Sequence, residues 1–166
     1  MEASQFINKV LVPIDFSDYS KNALRYATQF SLQFRAKMIL IYVVEPMIYP
    51  ADFSMGQVAI PSADIDLQKR GEEELSNLAK NFIDSSLEVE TIIKTGKPFV
   101  EINETASEKD VDLIIMATHG HTGVEHLLFG STAEKVVRKA PCPVLTLREP
   151  IKGFQFAKKW IYEQNH

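Results

Sequence analysis

The chain has 166 residues, 45% of them hydrophobic and 24% charged, and its 18 Lys and Arg against 22 Asp and Glu give a net charge of -4. That length suits one core, since single domains hold about 100–200 residues, and the composition excludes a disordered chain. The acidic balance argues against broad nucleic-acid binding. The lone cysteine, Cys142, rules out an intramolecular disulfide, and no apolar run reaches the roughly 18 residues of a membrane span. Met1-Glu2-Ala3-Ser4 opens no basic segment followed by an apolar one, so the expected location is cytoplasmic, with neither nucleic acid nor membrane as partner.

Val10 to Ile14 is a β-rich run stopped by Asp15, and Ser17 and Asp18 are N-cap candidates for a helix running to about Phe34. Ala23, Leu24, Ala27 and Phe30 recur at helical spacing and mark its inner face. Met38 to Val44 is nearly continuous in apolar residues, the pattern of a strand covered on both faces of a parallel sheet, and Pro46 and Pro50 end it. From Glu45 to Pro61 no period holds; a loop of that length is more often functional or mobile than a plain connection, and this one reads equally well as a floppy insertion or as a cover for a site at the strand ends.

Ser62 to Asp84 reads as a helix with Leu75, Leu78 and Phe82 on one stripe and Glu72, Glu73 and Lys80 outside, although Gly71 weakens it by about 1 kcal/mol. Leu87, Val89 and Thr91 alternate with Glu88 and Glu90 ahead of Ile92 and Ile93, which fits a strand at a sheet edge. Pro98 opens a short helix to about Glu108 with Phe99, Ile102 and Ala106 on one face. Val111 to Met116 is a further buried strand, Ser131 to Lys139 a helix and Val144 to Leu147 a last strand. Five strands alternating with four helices predict an α/β fold: a single three-layer sandwich on a five-stranded parallel sheet, Rossmann-like, with ligands gathering at the carboxyl ends of the strands. Asp15, Val43 and 117–123 all fall at such ends. Residues 151–166, where Phe154, Phe156, Trp160, Ile161 and Tyr162 lie among Lys152, Lys158 and Lys159, read as an extension beyond a domain of residues 1–150.

The chemistry concentrates in Ala117-Thr118-His119-Gly120-His121-Thr122-Gly123 and Gly130-Ser131-Thr132. Gly120 and Gly123 permit close backbone approach, and Gly130 opens a helix whose first amides attract anions. Ser131 and Thr132 add hydroxyl donors for phosphate oxygens. Glycines alone are read equally well as turns ahead of an ordinary capped helix. His119, His121 and His126 invite a metal reading, but no partnered cysteine or carboxylate set stands at metal-ligand spacing, so no metal is expected. His121 instead occupies a loop position where a protonated ring would help hold a triphosphate. Cys142, between Pro141 and Pro143, has no neighbouring base and is given no catalytic role.

The wider pattern resembles the universal stress protein family, whose nucleotide-binding members carry Gly-x-x-Gly, nine residues, then Gly-Ser or Gly-Thr. Gly120, Gly130 and Ser131 fall in register with that pattern, with nine residues between the two glycines, while Ala117 stands where the first glycine is expected. The resemblance extends from Val10-Leu11-Val12-Pro13-Ile14-Asp15-Phe16-Ser17 to Ala140-Pro141-Cys142-Pro143-Val144-Leu145. It implies an adenine nucleotide α-hydrolase-like fold that binds ATP, with or without Mg²⁺, as a homodimer paired through the last strand. By the same resemblance Pro13 shapes the adenine wall, Asp15 contacts the adenine or ribose side and the Val43 backbone bonds the adenine. Ala117, His119, Gly120, Gly130, Ser131 and Thr132 then hold the phosphates and ribose. Asp15 has a second reading as a helix-capping carboxylate.

Two other functions compete. Hydrolysis of ATP needs positioned Mg²⁺ ligands, a water-orienting group and charge stabilisation, and no complete set or P-loop is visible, which leaves at most slow turnover near His119 or Asp15. A nucleotide-free dimeric scaffold follows if Ala117 and the missing fixed cation signal lost binding.

Overall fold

The computed structural model describes residues 7–46, 61–119 and 130–148, with backbone alone over 61–64. Nine elements alternate among them: Lys9–Pro13 (β1), Asp18–Phe34 (α1), Lys37–Val44 (β2), Pro61–Phe82 (α2), Val89–Thr95 (β3), Pro98–Glu108 (α3), Leu113–Ala117 (β4), Ser131–Lys139 (α4) and Val144–Leu147 (β5). The strands form one sheet in the order β3-β2-β1-β4-β5, every neighbouring pair parallel. The winding reverses between β1 and β4, which opens a crevice at their carboxyl ends. β3 is an edge strand, as its half-polar start predicts. The fourth strand begins two residues later than the apolar run, because Val111 and Asp112 belong to the turn that enters it.

Alternate side chains of the sheet feed two cores. Val10, Val12, Leu40 and Ile115 meet Leu24 and Ala27 of α1 and Leu75 and Leu78 of α2. Leu11, Ile39, Ile41, Ile114 and Met116 meet Ile102 and Ala106 of α3 and Ala133 and Val136 of α4. Helices thus cover both faces, which makes the three-layer sandwich. It also explains why β2 reads as an unbroken apolar run: both of its faces are buried.

Gly71 is a packing residue. A Cβ there would stand 2.7 Å from two carbons of the Tyr42 ring, so the glycine lets α2 close onto β2 despite its helix-propensity cost.

At the amino end of the sheet Glu90 bridges Lys109 at 2.5 Å and Lys37 at 3.0 Å. The hydrogen bond from Lys109, then that from Lys37, holds the Glu90 carboxyl below its ordinary pKa. A depressed carboxylate contributes stability that is full above its unfolded pKa, about 4.3, and is lost as pH falls through the lower folded value. The Glu90→Gln variant is therefore expected to lose stability less steeply on acidification below about pH 4, read from urea midpoints across pH; an unchanged acid slope would remove this contribution.

Candidate functional site

β1 ends where its chain turns out of the sheet, and the turn is built by three neighbouring residues. Ser17 caps α1 by accepting the Ser20 N–H at 3.2 Å, and the Asp15 carboxylate accepts the Ser17 N–H at 3.0 Å and the Ser17 hydroxyl at 2.5 Å. Phe16 between them adopts a left-handed φ of 64°, uncommon for a bulky residue, with its ring 4.7 Å from that of Tyr42. Asp15 is therefore not the helix cap itself; it holds the cap and faces the crevice from the same position.

β2 runs beyond β1. Lys37 N–H donates to Asn8 and the Ile41 carbonyl accepts from Ile14, each at 2.8 Å, so odd-numbered residues of β2 turn their backbone toward β1. Met38 N–H and the Val44 carbonyl bond the β3 side instead. Pairing with β1 stops at Ile41 opposite Pro13, two residues short of Val43. Val43 accordingly points its N–H and C=O into the space that β1 has vacated, a donor and an acceptor side by side at the rim of the crevice.

Across the crevice, β4 ends at Ala117 and the chain returns at Gly130. Gly130 N–H donates to the Thr118 carbonyl at 2.7 Å, and a Cβ on Gly130 would lie 3.2 Å from that oxygen. The φ of Gly130 is an ordinary -69°, so the glycine serves close approach, not an unusual turn. Gly130 gives α4 no side-chain cap, and the first bond inside the helix runs from Glu134 N–H to the Gly130 carbonyl. The amides of Ser131, Thr132 and Ala133 thus precede the helical ladder, and all three residues line the crevice.

The result is a cleft of about 430 Å³ that brings together Pro13, Asp15, Val43, Ala117, His119, Gly130, Ser131 and Thr132. Gly120, with His121, Gly123 and His126, lies outside the described residues, as do most of the 45–61 segment and the 151–166 extension. Sequence reasoning missed Thr118, Leu67, Pro98 and Met116 as lining residues. Pro98 and Met116 carry the signal of standing at a helix start and a strand end; Leu67 carries none, since it faces the cleft from α2 across the sheet edge.

Asp15 and Glu45 are acidic, and no Lys or Arg lines the cleft among the described residues. Tyr42 has its phenol pKa raised, chiefly by burial and further by Glu74 and Asp15. Burial, aided by Asp112, also raises that of the half-buried Cys142 thiol, the opposite of an activated nucleophile. Among the described residues no group of three His, Cys, Asp or Glu is placed to hold a metal, and no helix is long and apolar enough to cross a membrane.

A parallel α/β sandwich with its cleft at the switch point defines a Rossmann-like protein of the adenine nucleotide α-hydrolase-like class. A model of the universal stress protein family matches residues 7–148, and the chain belongs to that family. The universal stress protein MJ0531 of Methanocaldococcus jannaschii is 36% identical over 147 residues, covering 87% of this chain and 84% of its own. The solved structure of MJ0577 from the same organism superposes with a TM-score of 0.74 at 30% identity, over 86% of this chain and 96% of that one. A universal stress protein solved in complex with cAMP shares the fold at a TM-score of 0.60 and 24% identity, over 85% of this chain and 97% of its own.

Proposed function

We propose that the cleft binds an adenine nucleotide, ATP, and that the protein is a nucleotide-responsive binding module of the stress response, acting in the cytoplasm as a homodimer. The observation that carries this reading is the pairing, in one cleft, of the open backbone edge of Val43 with the uncapped first turn of α4. An adenine edge offers an amine donor beside a ring-nitrogen acceptor, which a backbone C=O and N–H complement. Pro13 and Val43 flank the base, and Asp15 accepts from the ribose. Phosphates sit at Gly130, Ser131 and Thr132, where helix amides and hydroxyls donate; Ala117 and His119 border the same end.

The volume falls within the roughly 300–1,000 Å³ range of small-molecule sites. With no Lys or Arg among the described lining residues, and none in the sequence of 120–129, the charge of a triphosphate falls to backbone amides and to Mg²⁺ carried with the nucleotide. ATP affinity is therefore expected to rise when Mg²⁺ is supplied. The dimer is supported by β5, an edge strand whose four residues are all half-buried, with Val137 of α4 exposed beside the same side of the sheet. The cAMP complex of the fold neighbour agrees with the ligand class, but the weight rests on the cleft.

Mass analysis of small molecules released by denaturing freshly purified protein tests the proposal. Co-released ATP, or a thermal upshift at millimolar ATP, is the expected result. Absence of both would leave a nucleotide-free dimeric scaffold as the function.

A further inference from the structure

The walls of the cleft beside Val43 come from different helices. Tyr42 packs into the core under α1 and α2, and Val43 into the one under α3 and α4, so the plane of the sheet passes between their side chains. Peptide groups at a strand edge point within that plane. A base bonded to the N–H and C=O of Val43 therefore lies near the plane, with one face toward each helix layer. On the α3 side Pro98 and Ile102 line the cleft. On the opposite side, among the described residues, Leu67 is the α2 residue that lines it. Its place follows from the helix that carries it. Leu75 and Leu78 are buried in the core, and one turn before Leu75 a Cβ on Gly71 would stand 2.7 Å from the Tyr42 ring. Leu67 stands a further turn along the same face, about 6 Å nearer the carboxyl end of the sheet. There β1 has already left the sheet, so Leu67 is half-buried against the cleft, whereas Leu75 is fully buried against the strands. Beside it Gln68 Nε2 donates to Thr95 Oγ1 at 2.7 Å, an exposed bond that ties this turn to the end of β3. Exposed bonds resist local opening only weakly. On the outer side of the same turns Ile65 is 50% exposed, and Lys69 and Arg70 are exposed as well.

We infer that Leu67 is the wall of the base subsite on the α2 side, and that through it the base, not the phosphates, fixes the first turns of α2 against β3. A ligand shifts an element only through contacts that differ between its two states, and the face of the base against Leu67 is such a contact. Occupancy of the cleft is thereby carried to the outer surface of α2. Both roles rest on the adenine reading of the cleft.

Titration of the full chain with adenosine and with ATP and Mg²⁺, on wild type, Leu67→Ala and Leu67→Met, tests the wall; amide exchange with and without adenosine tests the coupling. Leu67→Ala is expected to weaken adenosine and ATP by the same factor, about tenfold, as suits the loss of part of a buried leucine side chain. Leu67→Met, of similar volume, should bind both within about threefold of wild type. Adenosine is expected to slow exchange over residues 65–71 in wild type, and far less in the alanine variant at equal saturation. Wild-type affinity for adenosine in Leu67→Ala, or a loss confined to ATP, overturns the wall. Adenosine binding that leaves exchange over 65–71 unchanged in wild type overturns the coupling. Should Leu67→Ala fail to fold, wild-type exchange decides alone: protection over 65–71 supports both roles and its absence overturns them. If no adenine compound binds wild type, the adenine reading falls and the role of Leu67 with it; if adenosine binds and Leu67→Ala matches wild type, only the role of Leu67 falls.

Discussion

Valine in place of Gly130 is expected to lower ATP affinity by about 100-fold or more, the equivalent of losing two hydrogen bonds to a charged group. The Cβ alone would stand 3.2 Å from the Thr118 carbonyl, and the two γ-carbons beyond it would spread over the first-turn amides that face the cleft. The helix start suffers less, because φ is already -69° and the exchange costs about 1 kcal/mol in capping preference. Gly130→Ala, which adds only the tight Cβ, should fall between. Calorimetric titration with ATP, beside urea unfolding of the same samples, separates the effects: binding lost from a folded valine variant supports the phosphate role, whereas wild-type affinity in that variant removes α4 from the site.

Asp15→Ala is expected to affect both stability and binding. Ser17 is 6% exposed, and both its N–H and its hydroxyl donate to Asp15, so the alanine strands two buried donors and costs about 2–4 kcal/mol. The left-handed turn at Phe16 loses the bond that spans it. Asp15→Asn retains an oxygen acceptor for Ser17 and should stay within about 1 kcal/mol of wild type. Its ATP affinity should still fall about tenfold, because an amide is a weaker acceptor for a ribose hydroxyl than a carboxylate. If Asp15→Asn binds as wild type does, the carboxylate serves only the turn.

The sequence and the structure agree most closely where one pattern had one physical reading. α3 and α4 fall at the residues expected, Pro98–Glu108 and Ser131–Lys139, because a first-turn proline and a Gly-Ser-Thr start mark their beginnings. The apolar run of β2 could belong only to a strand buried on both faces, and the alternation of Leu11 with Val10 and Val12 between opposite cores follows from period two. The strand order was not legible: periodicity shows that a strand is buried, not which strand lies beside it. Nor was the reason for Gly71, since helix propensity registers a cost while the Tyr42 ring that requires it lies 29 residues away in the chain.

The site divides in the same way. Asp15, Val43 and Gly130 stood out by position at strand and helix ends, and the structure gathers them around one cleft. That Val43 aims its backbone past the end of β1 depends on the pairing register, which no residue type reports. Asp15 is not the cap of α1 but accepts from Ser17, which is, and the turn it braces also lines the cleft. Thr118 escaped notice because a threonine after a strand is ordinary until its partners, His119 and Leu147, are known.

The most direct test of the account is a crystal structure of the protein grown with Mg²⁺ and ATP. The base is expected against the N–H and C=O of Val43, the ribose beside Asp15, and the phosphates over the amides of Ser131 and Thr132. A nucleotide bound elsewhere, or one lying in this cleft with its phosphates turned away from α4, would contradict the account.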